Sequence, residues 1–160
     1  MENRHSISEI ISKFVGNVKT PTVTPMRILL LDDDRSFGEI FRRTGEKKGL
    51  KVTVCDSVDT LCMHMNCPYD VAIIDYDLGS VTGTEIVKYL AHRAWKIPFV
   101  LISQSELPEA EPLPAAGCRF LNKDLGVPEL INAIFAAGSS ERTNARSQST
   151  LRSGSKGSRP

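Results

Sequence analysis

Hydrophobic residues along this chain are grouped into short unbroken runs, and four of these runs end at polar residues. The runs cover residues 28–31, 71–74, 99–102 and 120–121, and they are followed by Asp32, Asp75, Ser103 and the pair Asn122-Lys123. Runs that are apolar throughout are typical of strands buried on both faces of a parallel sheet. The pattern therefore predicts buried strands with polar residues at their carboxyl ends.

Apolar residues recur at helical spacing between these runs. Strands are predicted at 27–31, 52–54, 71–74, 99–102 and 119–121, and helices at 36–48, from the Ser57 cap to residue 65, from Gly83 onward, and at 127–137. In the first helix we expect Phe37, Ile40 and Phe41 to face inward, with Asp34 as a candidate N-cap. This repetition predicts an α/β fold, a doubly wound five-stranded parallel sheet with helices on both faces.

One helix of this repetition is missing. The segment 104–118 joins the fourth and fifth predicted strands, and it contains Pro108, Pro112 and Pro114. Proline removes a backbone donor and clashes with the preceding turn, so these three residues cannot all lie inside an α-helix. We expect at most a turn in this segment.

The two ends of the chain differ from the core. Residues 1–26 are a predicted N-terminal extension, in which apolar residues from Ile7 to Val18 indicate a short amphipathic helix before a Pro/Thr linker. That helix is expected to pack on its own domain or to mediate homodimerisation or partner binding, because its few basic residues disfavour a membrane surface. Residues 139–160 are rich in Ser, Arg, Gly and Thr and predict a disordered basic tail.

Charge is distributed unevenly along the 160 residues, whose formal net charge is +1. Residues 27–138 hold 12 Lys/Arg against 16 Asp/Glu, a net of −4, while residues 139–160 have a net charge of +4. An acidic core argues against direct nucleic-acid binding. There is no apolar run long enough to span a membrane and no signal-peptide pattern, so we expect a cytoplasmic protein with reduced cysteines.

A group of sulfur and imidazole side chains occurs at residues 62–67, which read Cys-Met-His-Met-Asn-Cys. These residues could be interpreted as a metal cluster. A helix that packs Leu61, Cys62 and Met65 inward is the favoured interpretation, because no second pair of metal ligands exists elsewhere in the chain.

The carboxyl ends of parallel strands meet at one edge of a sheet, where ligands bind in such folds. We therefore expect Asp32, Asp33, Asp75, Ser103 and Lys123 to surround one site. Crowded carboxylates raise one another's pKa unless a cation compensates, and Mg²⁺ suits a site with few carboxylates plus phosphate. One carboxylate could then attack phosphorus to form an acyl phosphate, while the lysine and the hydroxyl hold the phosphoryl oxygens.

In its order and placement this pattern resembles the receiver domain of two-component response regulators, over about residues 27–138. The matching positions are the acidic pair Asp32 and Asp33, the phosphoacceptor Asp75, the loop glycine Gly83, the switch residues Ser103 and Phe120, and the lysine Lys123. The resemblance implies a flavodoxin-like topology. It also implies that Asp33, Asp75 and the backbone carbonyl of Asp77 ligate Mg²⁺, with Asp32 assisting through water.

The resemblance further implies a phosphoacceptor signalling protein that catalyses only its own phosphorylation and dephosphorylation. Its partners would be a histidine kinase or histidine phosphotransfer protein and a downstream protein target that the sequence does not name. Because only the predicted tail follows the last helix, we expect a stand-alone receiver.

Four features depart from the family's usual pattern. Asp124 follows the lysine where many receivers have proline, and Gly79 replaces the usual loop proline. Gln104, next to Ser103, is bulkier than the small residue typical there and is expected to obstruct attacking water. The absent fourth helix is the largest departure, because receivers commonly signal through that face.

Two alternatives remain. The first is a receiver-like docking module that is never phosphorylated. The second is a phosphohydrolase, because Asp75-Tyr76-Asp77 resembles the Asp-x-Asp motif of haloacid-dehalogenase-type phosphatases. In that family the motif follows the first strand, whereas here it follows the third predicted strand of a shorter chain.

Overall fold

The fold is a single parallel sheet of five strands in a computed structural model that describes residues 24–93, 95–106 and 112–136. The strand order is β2-β1-β3-β4-β5. The strands are β1 (Arg27–Leu31), β2 (Lys51–Cys55), β3 (Val71–Asp75), β4 (Phe99–Ser103) and β5 (Arg119–Asn122). All neighbouring pairs are parallel. The five predicted strands are therefore all present, within one residue at either end.

Helices cover both faces of the sheet. They are α1 (Arg35–Lys47), α2 (Val58–His64), α3 (Gly83–His92) and the last helix, over residues 127–136. Asp34 caps α1 as predicted, because its side chain accepts hydrogen bonds from the N–H groups of Ser36 and Phe37. Ser57 and Thr82 begin α2 and α3 with capping boxes.

The central strands are buried on both faces, as their unbroken apolar sequences predict. Successive side chains of a strand point to opposite faces, so each strand contributes to two cores. One core joins Leu30 and Ile73 to Phe41 of α1 and Ile131 of the last helix. The other core joins residues of the opposite face to α2 and α3, and its members include Leu31, Ile74, Leu61, Val87 and Leu90.

Two predicted helix faces were wrong in part. Ile40 was expected to face inward but is 55% exposed, because the buried line of α1 runs through Gly38, Phe41 and Gly45. Cys62 is also exposed, because Leu61 alone occupies the inner position of the short helix α2. In both cases the neighbouring residue, one position along the helix, takes the buried face.

The connection between β4 and β5 contains no helix at its described residues, 104–106 and 112–118. This agrees with the prediction that the fourth helix is missing or irregular. The α/β fold class is confirmed by the five-stranded parallel sheet with helices on both faces. Residues 107–111 lie outside the described part of the chain, as do the predicted N-terminal helix and basic tail, which fall within residues 1–23 and 137–160.

Among the described residues, each helix is too short or too polar to cross a bilayer.

Candidate functional site

The carboxyl edge of the sheet carries an open pocket of about 420 Å³. It is lined by residues that follow the ends of four strands, namely Asp33, Asp34, Asp75, Asp77, Gly79, Ser103, Gln104, Ser105 and Lys123. The strand register explains this convergence, because Asp75 pairs with Ile102 and Ser103 with Asn122 across adjacent strands. Each predicted site residue except Asp32 and Phe120 lines this pocket.

The ammonium of Lys123 joins two of the carboxylates. Its Nζ lies 2.8 Å from Oδ2 of Asp32 and 2.9 Å from Oδ2 of Asp75. The Lys123 side chain is only 9% exposed, and that of Asp32 is fully buried. Asp32 does not line the pocket itself, but it contacts two residues that do, since Lys123 pairs with its Oδ2 and the Asp34 N–H donates to its Oδ1 at 3.0 Å.

Burial dominates the electrostatics of the two carboxylates, whereas the ion pairs dominate that of the lysine. Burial raises the pKa of Asp32 and of Asp75, and the nearby Lys123 only partly opposes that rise. Burial acts to lower the pKa of Lys123, but its hydrogen bonds and ion pairs with the two carboxylates outweigh burial and raise it. One buried ammonium thus serves two buried carboxylates, which leaves negative charge for a further cation to compensate.

The donor set suits a hard divalent cation. Carboxylate oxygens of Asp32, Asp33 and Asp75 all lie within 4.8 Å of one another. Oδ2 of Asp32 is buried, and the Lys123 ammonium lies 2.8 Å from it. Oxygen ligands in a charged, partly open pocket are those that Mg²⁺ uses in proteins. The residues present therefore fit the expected cofactor.

The two predicted switch residues occupy different surroundings. Ser103 is buried at the end of β4, where its hydroxyl accepts a hydrogen bond from the Ser105 N–H at 3.1 Å. Phe120 is half-buried in β5, opposite Leu101, and packs against the core that contains α3. Ser103 therefore faces the pocket, whereas Phe120 belongs to the wall behind it.

Gly83 allows α3 to begin directly against the site. A Cβ at this position would collide with the backbone carbonyl of Asp75 and would lie 2.9 Å from Leu101 Cδ2. The Gly83 N–H donates to the Tyr76 carbonyl at 2.8 Å, which fixes the loop after Asp75 to the start of the helix. Only glycine leaves room for this approach.

A short 3₁₀ turn, Lys123–Leu125, follows β5 and was not predicted. The Asn122 side chain accepts a hydrogen bond from the Asp124 N–H at 2.7 Å and so starts this turn. The turn ends at Gly126, which has a positive φ of 81°. Lys123 is thus held by local structure at the point where the strand ends.

Phe37 is the site neighbour that sequence reasoning missed. It was expected only to face the core, but its ring centroid lies 4.6 Å from Nζ of Lys123. Helical periodicity indicated that Phe37 faces inward. It carried no signal that the end of β5 would bring a charged group against the ring.

Fold and site together define a response-regulator receiver, and comparison with known proteins places the chain in that class. The model of the response regulator receiver domain family matches residues 28–135, so this chain belongs to that family. The prediction made from the sequence is therefore confirmed at the level of the family.

Two curated relatives illustrate the similarity. Regulatory protein VirG of Rhizobium rhizogenes is 31% identical over 114 residues, which cover 69% of this chain and 47% of that protein. Response regulator MprA of Mycobacterium sp. (strain KMS) is 27% identical over 115 residues, covering 70% of this chain and 50% of that protein. The chain thus spans about half the length of these relatives.

Solved structures support the fold. A CheY-like receiver domain protein from Methanospirillum hungatei JF-1 has a TM-score of 0.65 at 18% identity, covering 75% of this chain and 98% of that one. The receiver domain of a LuxO-type repressor protein from Vibrio parahaemolyticus has a TM-score of 0.66 at 14% identity, covering 76% and 95%. At these identities the likeness concerns the fold alone.

Proposed function

We propose that this domain accepts a phosphoryl group on Asp75 from a phosphohistidine of a histidine kinase or histidine phosphotransfer protein. It then signals through a conformational change and through binding of a downstream protein. The observation that carries this proposal is the ion pair between Lys123 and Asp75 at 2.9 Å, at the floor of an acidic, open pocket. A buried lysine beside a nucleophilic carboxylate is suited to bind the incoming phosphoryl oxygens.

In the transfer step, a carboxylate oxygen of Asp75 forms a bond with phosphorus as the P–N bond of the donor breaks. The electron pair of that bond stays with the imidazole nitrogen of the donor. Lys123 moves its hydrogen bond from Asp75 to a phosphoryl oxygen, and the Ser103 hydroxyl donates to another. Water later attacks the acyl phosphate and returns Asp75 and inorganic phosphate, with Gln104 beside the path of that water.

Mg²⁺ is the proposed cofactor. Asp33, Asp75 and the backbone carbonyl of Asp77 would hold it, with Asp32 acting through water. When bound, the ion would offset the charge of the carboxylates and of the phosphoryl group during transfer. The close approach of three carboxylates supports this assignment.

The signal is proposed to pass from Ser103 to Phe120 through the adjacent strands β4 and β5, which are in register at Ser103 and Asn122. We further propose a receiver over residues 27–138 that acts in the cytoplasm, flanked by an extension and a basic tail. Its partners are proposed to be proteins, because the acidic core disfavours nucleic acid. The N-terminal helix is proposed as a homodimer contact.

The test is phosphorylation by phosphoramidate or acetyl phosphate, followed by intact-protein mass spectrometry. The parent should gain one phosphoryl group with Mg²⁺ and none with EDTA. Asp75→Asn should gain none, whereas Asp59→Asn, which alters an exposed aspartate of α2, should behave as the parent does. Phosphorylation that survives in Asp75→Asn would refute the proposal.

The same assay separates the two alternatives. A docking module would take up no phosphoryl group under any condition. A phosphohydrolase would turn over p-nitrophenyl phosphate many times for each protein molecule. A phosphoacceptor would take up one phosphoryl group, and its acyl phosphate would then hydrolyse slowly.

A further inference from the structure

The ring of Phe37 lies against the Lys123 ammonium, at 4.6 Å from ring centroid to Nζ. An ammonium carries three N–H donors. Two carboxylate oxygens, of Asp32 and Asp75, lie within 2.9 Å of Lys123 Nζ. The aromatic face lies against the same ammonium and attracts the cation through its quadrupole.

The ring is held firmly in this place. The Phe37 N–H donates to Oδ1 of Asp34 at 3.1 Å, which fixes the first turn of α1. One turn later lies the fully buried Phe41, whose ring centroid is 6.1 Å from that of Phe37 at an interplanar angle of 38°. Phe37 itself is half-buried against the core beneath α1. Its position is therefore set by the helix cap and by core packing together.

This arrangement has a consequence for the ammonium. On the side of the ring the ammonium meets an aromatic face instead of water, and this weak partner does not compete with carboxylate or phosphoryl oxygens. An aliphatic side chain of similar size would exclude water equally well but would offer the ammonium no electrostatic partner.

We propose that Phe37 is a positioning residue for Lys123: its ring face keeps the ammonium directed at the carboxylates and ready for an incoming phosphoryl oxygen. Phe37 does not touch the reacting atoms and acts through Lys123. The inference rests on the phosphoacceptor role proposed for Asp75, and its test includes one arm that is independent of that role.

The first arm measures the rate of phosphorylation by saturating phosphoramidate with Mg²⁺ in Phe37→Leu and Phe37→Tyr. We expect the rate to fall about fivefold in Phe37→Leu, equivalent to about 1 kcal/mol. In Phe37→Tyr, which keeps the aromatic face, we expect it to stay within about twofold of the parent. Ile134→Val is the matched control, because it alters the same core from the last helix and leaves the contact between the Phe37 and Phe41 rings in place. It should destabilise the fold and leave the rate of the folded protein unchanged.

The second arm measures solvent exchange of the Lys123 ammonium protons by ¹⁵N NMR in the unphosphorylated protein. Exchange should be faster in Phe37→Leu and unchanged in Phe37→Tyr and Ile134→Val. If the parent takes up no phosphoryl group, the proposed function fails and this arm alone decides whether the ring holds the ammonium.

The inference would be overturned by equal rates in Phe37→Leu and the parent. It would also be overturned if Phe37→Tyr or Ile134→Val slowed phosphorylation as much as Phe37→Leu does, since packing and not the aromatic face would then be responsible. Unchanged ammonium exchange in Phe37→Leu would overturn it independently of phosphorylation.

Discussion

The body of β3 and its carboxyl end are both buried, but their effects on the free energy of folding are opposite. Ile73 and Ile74 are fully buried in the two cores on either side of the sheet, where apolar burial stabilises the fold. Asp75, the next residue, is buried as well, and burial raises the pKa of its carboxyl group against the effect of Lys123. The body of the strand therefore stabilises the domain, whereas its end costs stability and holds the carboxylate that is proposed as the phosphoacceptor.

Ile73→Ala should produce the largest loss of stability. It removes a fully buried side chain between α1, the last helix and the neighbouring strands, and such cavities cost about 4 kcal/mol. Urea unfolding measures the loss. The control is Met63→Ala, because Met63 is 75% exposed and its truncation should change stability by no more than about 0.5 kcal/mol. Equal effects in the two variants would contradict the account of the core.

Gly83→Ala tests the boundary between the two regions. An added methyl group would meet the Asp75 carbonyl and Leu101, so α3 must shift away from the site at a cost of about 2 kcal/mol. Phosphorylation should slow at the same time, because the Asp75 backbone is displaced. Urea unfolding and the phosphorylation assay check both effects, and unchanged stability would show that the close approach is absent in solution.

The strands and the edge that carries the site were predictable, because unbroken apolar runs such as 71–74 specify buried parallel strands. Parallel strands must place their carboxyl ends together. Helix faces were less predictable. Ile40 and Cys62 each have a neighbour that competes for the inner position, and only tertiary packing decides between them.

The contact between α1 and the end of β5 left no trace in the sequence. The position of Phe37 against Lys123 depends on how α1 and the turn after β5 pack together. Periodicity describes one element at a time, so it could indicate that Phe37 faces inward but not what it meets there.

Asp75→Asn should have the opposite sign to the first two substitutions. In EDTA at neutral pH it removes one of two buried carboxylates that share Lys123, and we expect stability to rise by an amount on the order of 1 kcal/mol. The Asp75 pKa is raised by folding, so the stability that this group contributes is complete below its unfolded pKa and is lost as pH rises through the folded pKa.

The advantage of Asp75→Asn over the parent should therefore shrink as the pH is lowered through the folded pKa towards 3.8, the unperturbed value. Urea unfolding at a series of pH values measures this difference. A variant that is less stable than the parent at neutral pH would show that Lys123 fully compensates the burial of both carboxylates.

The smallest expected effect concerns the reactivity of the four cysteine thiols, of which two are buried and two are exposed. Burial raises the pKa of Cys55 and of Cys118 to about 11, whereas Cys62 and Cys67 are exposed. Iodoacetamide at mildly alkaline pH should modify only Cys62 and Cys67 in the native protein, as peptide mass mapping would show. Folding raises the pKa of both buried thiols, so their contribution to the free energy of unfolding is complete below pH 9.0, the unperturbed pKa. It is lost as the pH rises towards about 11. Rapid modification of Cys55 or Cys118 would contradict their burial.

In the proposed function, the costly carboxyl end of β3 is retained because Asp75 forms an acyl phosphate. Borohydride reduction tests this most directly, because it converts an aspartyl phosphate to homoserine and so marks the phosphorylated residue. After treatment with phosphoramidate and Mg²⁺, peptide sequencing should find homoserine at position 75. Homoserine at position 32 or 33, or at no position in a protein that is folded and loaded with Mg²⁺, would contradict the account.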